Sequence, residues 1–370
     1  MFELPALLLA AAFVIVGLAA WLLGRRNGAA RTVRLPRDYY VGLDHLINDR
    51  YDHAAEAFSR IAEIGGDAAE IQFTLGSLFR RRGETDRAIA IHTRLQEQGE
   101  GPMRDKASFA LALDFMSAGL MDRAERLFEE LAATREHRRA ALEHLMRIYE
   151  QQADWANALK IFHELPSTLQ SERKRVAAHY LCEIAEQALL QGDTERTRTL
   201  LKQARSHDPY IPRAETLSAR MLEAEGDQRG ALEKYLRALE IEPGLALEVI
   251  PRVMALASAL GDRNVIDDLA ARLKSTGRIT SRQLAWLLVS AAPSDSVGGL
   301  AAIASELIEP NGKASEPGAL GVLLTRIGDA GGRYHCDECG LHSIGWYWRC
   351  PKCRSWDSMR PAVFTWAERI

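Results

Sequence analysis

The chain has 370 residues, 47% of them hydrophobic and 26% charged, with 47 basic against 50 acidic side chains and a formal net charge of -3. That balance, with a pI near 6.4, argues against wholesale nucleic-acid binding, and the absence of any low-complexity tract excludes a chain disordered by composition. The charge is also unevenly placed, because one long segment has none.

That segment comes first. Leu4 to Leu23 reads LPALLLAAAFVIVGLAAWLL, an uncharged run of 20 residues, and at ~1.5 Å rise per residue a helix of this length crosses a ~30 Å hydrocarbon core once. Pro5 falls in the first turn, where a missing N–H does no harm. Only Glu3 precedes the run, while Arg25 and Arg26 close it and Arg31, Arg34 and Arg37 follow. A cleaved secretory signal, the alternative, would need a basic leader and a small-residue cleavage site. The excess of arginine after the run predicts an anchor spanning residues 1–24, a basic linker over 25–37 and the remaining chain in the cytoplasm.

From residue 38 the pattern is helical and repeats. Turns at Gly83, Gly119, Gly192 and Gly226 each precede an amphipathic stretch. Three positions recur four and then three residues apart: Ala54, Phe58, Ile61; Ala88, His92, Leu95; Ala124, Phe128, Leu131; Ala158, Phe162, Leu165; Thr197, Leu201, Ala204; Ala231, Tyr235, Ala238; and Ile266, Ala270, Leu273. Successive first members lie 34, 36, 34, 39, 34 and 35 residues apart. A period near 34 is the signature of tetratricopeptide repeats. A small residue lets the two helices of a repeat approach closely, and the larger residue one turn later fills the groove between neighbours. Gly42 and Gly76, 34 residues apart, take the matching slot in the first helix of their repeats, and Pro209 and Pro243, also 34 apart, end helices.

Beyond Gly277 the period fades into one degenerate repeat and a closing helix, and DAGGR over 329–333 is a linker. The expected fold is all-α, a tetratricopeptide-repeat superhelical solenoid over 38–328 with about seven clear repeats and a degenerate cap. An N-terminal transmembrane helix precedes it and a small metal domain over 334–370 follows it.

The metal domain carries the sharpest chemical signal. Cys336, Cys339, Cys350 and Cys353 form a C-x2-C-x10-C-x2-C pattern, which is the ligand set of one tetrathiolate site of the rubredoxin or zinc-ribbon kind, built on two tight turns. A reducing cytoplasm favours metal over disulfides in such pairs. Four thiolates suit zinc or iron. Gly340 after Cys339 permits a positive φ, whereas Arg354 follows Cys353, and the missing second glycine argues against a redox rubredoxin and favours zinc. His335 and His342 flank a shell that four cysteines already complete. Trp346, Tyr347, Trp348 and Trp356 are expected to cover the site or pack against the repeats, and Cys182 to be a small core residue. From Arg333 onward the basic residues exceed the acids by only two, so no nucleic-acid stripe forms there.

Anchor, repeats and metal site together resemble the lipopolysaccharide assembly protein B family of Gram-negative bacteria. The resemblance rests on GRR at Gly24 to Arg26, RDYY from Arg37, LGSLFRRRGETDRAIAIH from Leu75, AGLMDRAERLF from Ala118 and YWRCPKCRSW from Tyr347. It implies a non-enzymatic adaptor in the bacterial inner membrane, with a periplasmic N-terminus and the other domains cytoplasmic. Its implied partners are the membrane-anchored protease FtsH, the deacetylase that commits precursors to lipid A, and an inner-membrane protein that senses lipopolysaccharide; homo-oligomerisation is possible. The sequence itself shows no GxxxxGK[ST], GxSxG or HExxH motif; HELP at His163 lacks the second histidine. Two other classes stay open at this stage: an iron-bearing electron carrier and a zinc-ribbon scaffold for nucleic acid.

Overall fold

A computed structural model describes residues 37–63, 69–262, parts of 264–272, and 334–362. The expected anchor, the basic linker before Arg37, the degenerate repeat and closing helix, the 329–333 linker and the triplet Ile266, Ala270, Leu273 lie outside the described residues. The chain falls into two compact units, Met1–Ala141 and Leu142–Ile370.

In the first unit, α1 (Arg37–Ile47), α2 (Tyr51–Glu63), α3 (Ala69–Arg81), α4 (Thr85–Gln98), α5 (Pro102–Ser117) and α6 (Met121–Ala132) follow one another as helical hairpins. α7 (Arg138–Gln152) carries the unit boundary. The second unit continues with α8 (Trp155–Glu164), a short α9 (Ser167–Glu172), α10 (Lys174–Leu190), α11 (Thr194–His207), α12 (Pro212–Glu225), α13 (Gln228–Ile241) and α14 (Ala246–Leu260). Three strands close it: β1 (Tyr334–Cys336), β2 (His342–Ser343) and β3 (Met359–Pro361).

All six described triplets are buried, from Ala54, Phe58 and Ile61 through Ala231, Tyr235 and Ala238. The residue sixteen positions before each middle member is Gly42, Gly76, Ala112, Met146, Ala185 or Ala219, and it too is buried. In all but Met146 it is small, and the smallness has a direct cause at Gly42, where an added Cβ would lie 2.7 Å from the Phe58 ring, and at Gly76, where it would lie 2.6 Å from the His92 ring.

The turns have a rule of their own. Asp49, Gly83, Gly119, Ala153, Gly192, Gly226 and Gly261 all have positive φ, and each stands five residues before a triplet. Two of the seven are not glycine, so the conformation belongs to the repeat and the glycine only makes it cheap. At three of these turns the next residue is an aspartate that caps the following helix. Asp154, Asp193 and Asp227 accept hydrogen bonds from the amides of Asn157, Arg196 and Gly230. The long 39-residue interval is where α9 is inserted between α8 and α10. α11 and α13 end just before Pro209 and Pro243, as the sequence predicts.

Ion pairs link residues about one repeat apart within each unit. In the first, Asp114, fully buried, receives Arg80 Nη1 at 2.6 Å and lies 2.5 Å from His92 Nδ1. In the second, Arg213 reaches Glu183 at 2.8 Å and Glu186 at 2.9 Å, and Arg220 reaches Glu186 at 2.6 Å. Glu186 is held below the usual carboxylate range: burial opposes ionisation, but the hydrogen bonds from Arg220 and Arg213 overcome it.

Among the described residues one helix, Pro243–Leu260, is long and apolar enough to cross a membrane. Ala246, Leu247, Val249, Ile250, Val253, Leu256 and Ala257 on it are buried in the core of the second unit, which accounts for its composition. Cys182 is fully buried as expected, and burial pushes its thiol up to about 12.

Candidate metal centre

β1 is the middle strand of a three-stranded antiparallel sheet, order β2-β1-β3. Tyr334 pairs with Ser343 and Pro361, His335 with His342 and Arg360, and Cys336 with Met359. This sheet sets the first cysteine at its rim. Each C-x2-C segment then turns in the same way. Gly340 N donates to Cys336 O at 2.9 Å and Arg354 N donates to Cys350 O at 2.8 Å. Cys336 N donates to Leu341 O and Cys350 N to Ser355 O, both at 2.9 Å.

The equivalence corrects one sequence argument. Arg354 has φ +62°, close to the +68° of Gly340, so the second turn reaches the left-handed conformation without glycine. The energetic penalty for a Cβ there is ~1 kcal/mol, small enough for two turn hydrogen bonds to offset. The missing glycine therefore does not argue against iron.

The four sulfurs lie within 4.8 Å of one another. Cys336 Sγ is 3.6 Å from Cys353 Sγ, and Cys339 Sγ is 3.7 Å from Cys350 Sγ. A disulfide needs ~2.05 Å, and all the cysteines are free. A tetrahedron of sulfurs ~2.3 Å from a zinc ion has edges of ~3.8 Å. The donor set and its spacing thus fit one tetrathiolate metal ion, with Cys336 and Cys350 buried and Cys353 exposed. The Ser355 hydroxyl and amide hold the Cys353 thiol down to about 6. For Cys336, burial acts upward, yet the Ser358 hydroxyl and the amides of Cys339 and Glu338 bring the thiol below its ordinary value. Both favour the thiolate that binds metal, whereas at Cys339 the Leu341 backbone acts downward but burial and the neighbouring Cys353, Cys336 and Cys350 push the thiol up to about 11. His335 and His342 pair across β1 and β2, and His335 Nε2 sits 3.1 Å from Asp337; neither belongs to the sulfur cluster.

The module has almost no core of its own. Tyr334, Cys336, Cys350 and Met359 are buried in the same cluster as Leu245, Ala246, Leu247 and Ile250 of the repeats, with Trp346 and Trp348 packed against it. Trp356 stacks on His179 and meets Trp155 edge-on. The Arg349 guanidinium lies over both the Trp155 and Trp356 rings, at 5.6 and 5.5 Å, and donates to Glu150 O at 2.7 Å. Tyr180, fully buried, donates to the same glutamate's carboxylate. Asp357 accepts from Arg175 Nε at 2.5 Å and contacts His179 Nε2 at 2.8 Å. Three of the four aromatics named from sequence therefore pack on the repeats; Tyr347 is 45% exposed. Sequence reading missed the receiving residues Glu150, Trp155, Arg175 and His179, since no spacing rule connects positions nearly two hundred residues apart.

Comparison with known families matches the Rubredoxin metal binding domain to residues 334–361 and a Tetratricopeptide repeat to residues 74–102. Lipopolysaccharide assembly protein B of Escherichia coli (strain K12) is 29% identical over 94% of this chain and 97% of that protein. The protein of the same name from Haemophilus influenzae is 29% identical with the same coverage. Among solved structures, the C-terminal part of a TPR repeat-containing protein from Cytophaga hutchinsonii covers 64% of this chain and 95% of its own, at 11% identity and a TM-score of 0.45. Along nearly its whole length the chain is thus similar to proteins named Lipopolysaccharide assembly protein B, and its C-terminal module to the Rubredoxin metal binding domain.

Proposed function

We propose that the chain is an inner-membrane adaptor that restrains lipopolysaccharide synthesis, bringing the committing deacetylase of the lipid A pathway to the protease FtsH. The observation that carries this reading is the length of the likeness: 94% of this chain aligns with 97% of the E. coli protein, at 29% identity. In this reading residues 1–24 cross the bilayer once with the N-terminus periplasmic. The basic stretch 25–37 meets the cytoplasmic face, repeats over 38–328 hold protein partners, 329–333 is a linker and 334–370 is the metal module. A lipopolysaccharide-sensing inner-membrane protein acts on the adaptor from the same membrane. The work is recognition, spread over many moderate contacts along stacked helices.

Cys336, Cys339, Cys350 and Cys353 are the proposed ligands of one zinc or iron ion, which would supply folding free energy by tying the two turns together. The test of the adaptor reading is depletion of the protein in its native host while the deacetylase half-life is followed with and without active FtsH. A longer half-life only when the protease is active supports the reading; unchanged turnover rejects it.

One observation is equally compatible with a second reading, an iron-bearing electron carrier. Both cysteine turns have the same left-handed closing residue, which suits a redox iron site as well as a structural zinc site. Metal analysis and a visible spectrum of the purified full chain separate the two. Colour that bleaches reversibly on reduction supports electron transfer, and a colourless zinc-loaded protein excludes it.

A further inference from the structure

The first unit holds an open groove of about 400 Å³ between α2, α3 and α4. Leu75 and Phe79 of α3 and Ala90 and Ile91 of α4 supply its apolar surface, and Arg87 and Arg94 stand at its rim. On α4 the four residues Arg87, Ala90, Ile91 and Arg94 follow the i, i+3, i+4, i+7 rule and share one helix face. The two guanidinium-bearing positions are two turns apart, ~10 Å along the axis. No carboxylate lines the groove.

The two arginines differ in their surroundings. The Arg87 guanidinium lies 4.0 Å over the Phe79 ring and donates to Glu84 at 2.7 Å. Glu84 is shared, since Arg82 also reaches it at 2.8 Å. Arg94 is exposed and makes no ion pair among the described residues. Arg82 also pairs with Asp52 at 3.2 Å, so the surplus positive charge at the rim is that of Arg94, beside an apolar strip in which Ala90 is exposed, Ile91 half-buried, and Leu75 and Phe79 buried beneath. A stacked guanidinium is also pre-oriented, so less freedom is lost when it engages a carboxylate.

From this arrangement we infer that the groove receives an amphipathic helix of a partner protein whose contact face reads acid, apolar, apolar, acid at the same i, i+3, i+4, i+7 spacing. Such a helix lays its apolar pair between Arg87 and Arg94 and its two carboxylates against the guanidinium groups, the helix-in-groove mode of recognition. The acid-to-acid distance on the partner matches the arginine spacing because both are two turns of helix. This deepens the adaptor reading by naming the chemistry of one client face.

The test uses the full chain in detergent and a designed, helix-stapled peptide with Glu at both ends of the two-turn face and Leu at the two inner positions. Fluorescence anisotropy reads its affinity for the parent protein, for Arg94→Glu and for the double variant Arg87→Glu/Arg94→Glu. Both arginines are exposed, and the thermal midpoint checks that the variants fold. The expected result is saturable binding to the parent, at least tenfold weaker to Arg94→Glu, and restored binding of the double variant to a peptide carrying Lys in place of both Glu. Equal affinity for parent and variants, or no binding to the parent, overturns the inference. So does a change of oligomeric state in Arg94→Glu, which would make a second copy the occupant, or loss of anionic-vesicle binding by that variant without any peptide effect. Peptide binding is read independently of the deacetylase half-life, so this inference and the adaptor reading fail separately.

Discussion

Trp356 lies flat on His179, with ring centroids 4.8 Å apart and planes 17° from parallel. The next residue, Asp357, takes a φ of +53° and places its carboxylate against Nε2 of the same histidine and Nε of Arg175. The segment just after the last cysteine is thus also the segment that fastens the module to α10. Knuckle geometry and docking geometry are set by neighbouring residues.

Replacing Trp356 with Ala removes the stack on His179, the edge contact with Trp155 and one wall of the Arg349 site. Trp356 is half-buried, so its loss costs less than that of a fully buried core aromatic, ~2–3 kcal/mol. The second unit is expected to unfold at lower denaturant while the protein keeps its bound metal, because no sulfur is touched. Parallel measurement of the denaturation midpoint and metal content checks this; loss of metal with an unchanged midpoint would contradict it.

Asp357 gives a pH prediction. Burial acts to raise its pKa, but the hydrogen bond and charge of His179 and those of Arg175 bring it below the ordinary carboxylate value. A group whose folded pKa is depressed stabilises the fold above its unfolded pKa, ~3.9 for aspartate, and loses that contribution as pH falls through the folded value. Asp357→Asn is therefore expected to cost ~2 kcal/mol at neutral pH, the range for hydrogen bonds to charged groups. The difference from the parent holds from pH 8 to about 5 and shrinks below about 4. Denaturation curves of both proteins across that range supply the measurement.

The repeat was legible because it recurs: one small residue and one bulky residue, restated every 34 or so positions, outweigh local noise. The turns were only partly legible. Gly83, Gly119, Gly192 and Gly226 announce themselves, whereas Asp49 and Ala153 occupy the same left-handed slot without the residue that marks it. The 39-residue interval signalled an insertion, and only the backbone shows it to be α9. The four cysteines were legible as a cluster, and their sulfurs lie within 4.8 Å of one another. Arg354 was misread because glycine at such a turn is a preference of ~1 kcal/mol, which local hydrogen bonds can offset. The docking face stayed hidden because Asp357 and Arg349 look like surface charges until α7 and α10 are brought to them.

The cysteines should divide into two classes on substitution. Cys336→Ser is expected to abolish metal binding and destabilise the second unit by several kcal/mol, since metal affinity is coupled to folding. Cys182→Ala keeps the metal and costs ~1 kcal/mol or less, because it removes one small buried sulfur from α10. Metal quantitation and thermal denaturation of both variants decide. A chelator should reproduce the Cys336→Ser phenotype in the parent and leave that variant unaffected.

Gly76 and Gly83 separate crowding from conformational freedom within one repeat. A Cβ at Gly76 would lie 2.6 Å from both Cε1 and Nε2 of His92, and that ring is held in place by Asp114, which Arg80 also holds. At Gly83, with φ +80°, a Cβ meets nothing within 4 Å. Gly76→Ala must displace a buried, hydrogen-bonded ring, so its expected cost is ~2–3 kcal/mol. Gly83→Ala bears only the left-handed strain, ~1 kcal/mol. A double variant Gly76→Ala/His92→Ala relieves the clash and should cost less than the sum of its two single substitutions. Additive costs in that cycle, read from denaturation midpoints, would show that Gly76 is small for a reason other than the ring facing it.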